Sequence, residues 1–130
     1  MCNSLFYIDD NEFDHLIVNS LVKTYTDVKK MTSFLNGRMA LDKLNQNQSN
    51  PDELPDVILV DLFMPGFTGW DFLDNLTKIY PKLSKKVKVF ILSSSIKKDD
   101  IEQSKNYAFV SRYITKPLTQ GLLADIQLIN

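Results

Sequence analysis

Cysteine is nearly absent from this chain. Cys2 stands alone among 130 residues, so neither an internal disulfide nor a cysteine-held metal cluster can form. An excess of one charge is also missing. Fifteen basic residues against 16 acidic ones leave a net charge of −1, which excludes the broad basic surface of a nucleic-acid binder. No apolar run approaches the length of a membrane span, so no membrane partner is expected. The N-terminus has neither the charged start nor the apolar stretch of a signal peptide. No internal repeat or low-complexity tract breaks the chain. What remains is one domain, 1–130, with ordinary apolar content and enough length for a proper core. A soluble cytoplasmic protein is the simplest expectation.

Strand-like and helix-like segments alternate along that domain. Residues 5–8 are a short apolar run ending at Asp9-Asp10. Over 12–24, Phe13, Ile17, Val18, Leu21 and Val22 recur at helical spacing. Residues 28–34 alternate weakly and read as a second strand, and 37–45 as a second helix. The polar stretch 46–56, with Pro51 and Pro55, is a long surface loop. Val57-Ile58-Leu59-Val60 is continuously apolar, the mark of a strand buried on both faces, and it ends in Asp61. Thr68 and Asp71 have capping-box spacing ahead of a helix over 70–80, closed by Pro81. Residues 87–92 form a fourth strand opening into Ser93-Ser94-Ser95. A weakly apolar helix over 99–105 and a fifth strand over 110–114 follow. Thr119 caps a final helix running through Ile129.

Five βα units in a row predict an α/β fold, a parallel sheet with helices on both faces. Periodicity does not give the strand order. The count and length favour the flavodoxin-like (βα)5 order, 2-1-3-4-5.

In such a sheet ligands bind beyond the carboxyl ends of the strands. Strands 1, 3, 4 and 5 bring Asp9-Asp10, Asp61, Ser93 and Lys116 to that edge. Three close carboxylates repel unless a cation compensates, and Mg²⁺ is a hard ion suited to oxygen ligands. The lysine adds a mobile positive charge and the serine a hydroxyl. The set suits an incoming phosphoryl group, with the Asp61 carboxylate as nucleophile forming an acyl phosphate. Each residue has a plainer reading alone: a helix cap for Asp9-Asp10, a turn residue for Ser93, a solvated side chain for Lys116.

The chain resembles the response-regulator receiver domains of two-component signalling. The resemblance rests on Tyr-Ile-Asp-Asp at 7–10, Leu-Val-Asp-Leu-Phe-Met-Pro-Gly-Phe-Thr-Gly at 59–69, Ile-Leu-Ser-Ser-Ser at 91–95 and Tyr-Ile-Thr-Lys-Pro-Leu at 113–118. It implies that Asp61 is the phosphoacceptor and Asp10 the main Mg²⁺ ligand, with Asp9 acting largely through water. It makes the backbone carbonyl of Phe63 a further ligand and Ser93 the switch hydroxyl. Lys116 becomes the partner of the phosphoryl group, and Tyr113 an aromatic that moves inward with Ser93; alone, Tyr113 would read as an amphipathic strand residue. It also implies a cis Lys116-Pro117 bond that aims Lys116 into the site. Bulky Phe63 is expected to restrict the attacking water and lengthen the phosphoryl lifetime.

The implied partners are a sensor histidine kinase or phosphotransfer protein and a downstream protein target. The domain is a regulatory module rather than an enzyme, a monomer or weak homodimer with no output domain. Its signal would leave through the face built by 99–105, 110–114 and 119–129. Phe13 and Leu16, on the margin of the first helix, are either core-edge residues or part of a kinase contact; His15 is expected at the surface. The first rival is a haloacid-dehalogenase-type phosphatase, which needs an acidic residue where Phe63 stands. A flavodoxin would find its flavin phosphate repelled by Asp9-Asp10-Asn11-Glu12. A non-phosphorylated pseudo-receiver that only mediates contacts is the third.

Overall fold

A computed structural model describes residues 2–129. The elements are β1 (Ser4–Ile8), α1 (Glu12–Tyr25), β2 (Lys30–Phe34), α2 (Gly37–Gln46), β3 (Val57–Val60), α3 (Gly69–Ile79), β4 (Lys88–Ser93), α4 (Lys98–Ser104), β5 (Val110–Thr115) and α5 (Gln120–Asp125). The five strands form one parallel sheet in the order β2-β1-β3-β4-β5. This is the flavodoxin-like α/β architecture that the alternation of elements predicts.

Alternate strand residues enter opposite cores. Phe6, Ile8, Ile58, Val60, Val89 and Ile91 meet α2 and α3 on one face. Leu5, Tyr7, Leu59 and Leu92 meet Val18 and Val22 of α1 and Leu123 of α5 on the other. The central β3 is buried throughout, which explains its unbroken apolar run. In the edge strand β2 every residue but Phe34 is exposed or half-exposed, which explains its weak pattern.

Caps fall where the sequence places them at α3 and α5. Thr68 and Asp71 bond each other's backbone N–H groups in a capping box, and the Thr119 hydroxyl accepts from the Leu122 N–H. At α1 the cap is Asn11, whose side chain accepts from the N–H groups of Phe13 and Asp14. Asp9 and Asp10 are thereby spared that duty.

Helix α3 ends just before Pro81, as expected, and the chain then passes into a 3₁₀ turn, Tyr80–Lys82, because proline fits the first turn of a new helical segment. One expectation is corrected. The last helix stops at Asp125, well short of Ile129. Gln127 adopts φ +64°, and the N–H groups of Gln127 and Leu128 return to the carbonyls of Ala124 and Leu123. This is a Schellman ending. A left-handed glutamine costs about 1 to 2 kcal/mol, and the turn buries Leu128, as continued helix would not have to do.

Candidate functional site

The carboxyl ends of the strands carry an almost buried cluster of charge. Asp61 leaves β3 with its N–H bonded to the Ile8 carbonyl at 2.9 Å. The loop after it closes when the Gly69 N–H reaches the Leu62 carbonyl, also at 2.9 Å. Gly69 makes this possible. A Cβ there would lie 2.6 Å from the Leu62 Cα and collide with the Asp61 carbonyl oxygen. Helix α3 can therefore begin directly beneath Asp61, leaving its side chain facing Asp9 and Lys116.

Asp9 ends β1 and is fully buried. Its Oδ2 accepts from the Tyr7 hydroxyl at 2.5 Å and from Lys116 Nζ at 2.9 Å, and its Oδ1 accepts from the Asn11 N–H at 2.9 Å. Tyr7 is there because residues two apart on a strand share a face. Asp10 is exposed and, among the described residues, has no hydrogen-bond partner. Asp9, Asp10 and Asp61 each offer an oxygen within 4.8 Å of the others. An all-carboxylate set of that span fits a hard divalent cation. Asp10 and Asp61 are the freer ligands, since Asp9 is already committed.

Lys116 follows β5, and its peptide bond to Pro117 is cis. Its N–H donates to the Ser93 carbonyl at 2.8 Å, anchoring the loop to β4. Its Nζ lies 2.8 Å from Asp14 Oδ2, 2.9 Å from Asp9 Oδ2 and 3.8 Å from Asp61 Oδ2. The ammonium therefore sits closer to two flanking carboxylates than to the one at the centre.

The electrostatics follow from this packing. Burial pushes the Asp61 carboxyl up to about 6; Lys116 pulls it down, Asp9 pushes it up, and the Phe63 and Leu62 N–H groups pull it down. Asp61 is thus a largely ionised but unusually basic carboxylate at neutral pH. Burial disfavours the charge on Lys116, but its bonds to Asp14 and Asp9 outweigh that and hold it above the usual lysine value. Burial, then the bond to Asp9, pushes the Tyr7 phenol far above its ordinary range, so it stays a donor.

Ser93 is buried at the end of β4, and its Oγ accepts from the Ser95 N–H at 3.1 Å. Ser95 then connects outward. Its carbonyl accepts from the half-buried Tyr113 hydroxyl at 2.9 Å, and its own hydroxyl donates to Asp100 of α4 at 2.6 Å. Phe63 stands at the rim and is 52% exposed. Asp9, Asp10, Asp61 and Lys116 thus converge directly, while Tyr113 joins Ser93 only through Ser95.

Two site neighbours escape the motifs. Asp14 reaches Lys116 from the first turn of α1, three residues after the Asn11 cap. Tyr7 is hidden in an apolar strand, legible only from its period-two spacing to Asp9. His15 is a correction: it is buried, with Nε2–H donating to the Asp9 carbonyl at 2.6 Å and its ring 4.6 Å from that of Tyr7. Its Nδ1 has no partner among the described residues. The inner stripe of α1 is His15, Val18 and Val22, so Phe13, Leu16 and Ile17 lie outside it and are exposed. An apolar count that skips histidine turns the helix by one position.

A protein-family model for the response regulator receiver domain matches residues 5–127. The chain belongs to the response regulator receiver family. Among curated relatives of this receiver domain is the response regulator protein VraR of Staphylococcus aureus, 26% identical over 125 residues. The match takes in 96% of this chain and 54% of VraR, so the receiver spans about half the length of the curated relatives it matches. Among solved structures, a two-component response regulator from Cytophaga hutchinsonii is 27% identical with a TM-score of 0.86, covering 96% of this chain and 93% of that one. The phosphorylated cyanobacterial phytochrome response regulator RcpA is 29% identical with a TM-score of 0.76, covering 97% and 89%. No helix among the described residues is long and apolar enough to cross a membrane.

Proposed function

We propose that this receiver domain accepts a phosphoryl group on Asp61 from a histidine kinase or phosphotransfer protein, with Mg²⁺, and signals by a conformational change. The observation that carries the reading is the convergence on Asp61, a basic, nearly buried carboxylate, of two acidic residues from the end of β1 and one lysine from the end of β5. The similarity to RcpA, known in phosphorylated form, supports it.

An Asp61 oxygen attacks the phosphorus of a phosphohistidine. The P–N bond breaks, the imidazole leaves with the electron pair and takes up a proton, and an acyl phosphate remains. Asp10 and Asp61, with Asp9 and the Phe63 carbonyl, would hold the Mg²⁺. When bound, that ion supplies positive charge against the oxygens of the transferred group. Lys116 donates to a phosphoryl oxygen, and Ser93 turns its hydroxyl to another.

That turn breaks the Ser93–Ser95 bond. Ser95 ties Tyr113 and Asp100, so the signal passes to β5 and α4, and a downstream protein reads that face. A rival phosphatase reading lacks its second acid, since the half-exposed Phe63 stands in that place.

Incubation with Mg²⁺ and acetyl phosphate tests the reading by intact mass. The protein gains one phosphate, and Asp61→Asn gains none. No gain in the wild type, or an equal gain in the variant, overturns it.

A further inference from the structure

Asp14 is the carboxylate that the proposed chemistry does not use, yet it makes the shortest contact to Lys116, 2.8 Å. It comes from 102 residues away in sequence. Asp9 keeps the Tyr7 hydroxyl and the Asn11 N–H as donors if Lys116 leaves it. Asp14 is different. Among the described residues, Lys116 is the hydrogen-bond partner of its carboxylate, and the pair is only partly exposed, at 18% for the lysine and 28% for the aspartate. At such a site the attraction is weakly screened.

Charge counting gives its consequence a sign. Among the described residues, Asp9, Asp10, Asp14 and Asp61 stand against one ammonium, that of Lys116. A phosphoryl group adds about one and a half to two negative charges. Asp14 offsets much of the lysine's charge and holds Nζ on the α1 side, 3.8 Å from Asp61. The group that arrives on Asp61 must draw the ammonium across against that pull.

We propose that Asp14 is a positioning residue that restrains Lys116 and opposes occupancy of Asp61 by a phosphoryl group, setting how readily the receiver switches. The inference rests on the phosphoacceptor reading of Asp61. Asp14 is outside the group of three carboxylates that could hold a metal ion, and it acts through Lys116. Its place on the first turn of α1 makes neutralisation conformationally mild, because asparagine and aspartate have similar helix propensity.

The test is calorimetric titration of the full chain with beryllofluoride at saturating Mg²⁺, a non-covalent mimic of the acyl phosphate. Asp14→Asn binds the probe about three- to tenfold more tightly than wild type. Asp14→Glu, which keeps the charge, returns to within about twofold of wild type. Asp61→Asn shows no binding. Unchanged or weaker binding by Asp14→Asn, with the wild type binding normally, overturns this inference alone. Equal tightening by Asp14→Glu also overturns it, because shape rather than charge would then be responsible. A wild type that fails to bind the probe overturns the phosphoacceptor reading and this inference together.

Discussion

The two ends of β3 carry the same side chain in opposite circumstances. Asp56 precedes the strand. Its Oδ2 accepts from the N–H groups of Asn3 and Ser4 at 2.8 and 3.0 Å, and its Oδ1 pairs with Lys85 at 2.8 Å. Burial raises its pKa, but the bond from Lys85 and the two backbone donors outweigh burial and leave it below the usual value. Asp61 follows the strand. It meets Asp9 and Asp10 and a lysine that is bonded elsewhere, so burial leaves it at about 6. Asp56 ties β1 to the β3 edge and stabilises the sheet. Asp61 is left short of partners, which is a cost to the fold.

The largest break in this contrast comes from the backbone. Gly69→Ala places a methyl against the Asp61 and Leu62 backbone, which cannot yield as a flexible side chain would. We expect a loss of about 3 kcal/mol, read by urea unfolding.

Asp56→Asn is next, costing about 2 kcal/mol through a lost ion pair and weakened bonds to two backbone donors. The folded pKa of Asp56 is lowered, so its stabilisation is present above the unfolded value near 4 and is lost as pH falls through the folded value. The cost of the variant should therefore shrink on acidification below about pH 4. A pH-independent cost would show that the charge is not the cause.

Asp61→Asn should act in the other direction, stabilising the fold by about 1 kcal/mol at pH 7. Between the unfolded value and about 6 the folded state binds more protons than the unfolded one, so stability falls as pH rises through that window. The gain from the variant grows across it and levels off above. A destabilised Asp61→Asn would erase the contrast between the two ends.

The smallest effect sharpens it at the rim. Phe63→Asn replaces a half-exposed ring with a polar group beside Asp61. It should shorten the acyl-phosphate lifetime a few-fold, measured as loss of the mass gain after donor removal, with stability unchanged.

Most elements were legible because each strand and helix carries its own period. Local periodicity fails where a distant contact overrules it. His15 counts as polar in any apolar scan, yet Tyr7 and the Asp9 carbonyl bury it. Residues 126–129 look helical, yet burial of Leu128 turns the chain at Gln127. Within the site, acidic residues and a lysine at strand ends announced themselves, whereas Asp14 and Tyr7 gave no motif. Their importance comes only from what stands opposite them.

Local apolar runs settle where the strands end, and so which residues meet at the sheet's carboxyl edge, because burial on two faces is written into them. Tertiary structure alone decided how the charges at that edge are shared. Lys116 lies 107 residues from Asp9 and 102 from Asp14, and its closer approach to them than to Asp61 depends on the β5–α5 loop packing beside α1. Local patterns fix positions along the chain; the balance among buried charges depends on distances that only the folded chain sets.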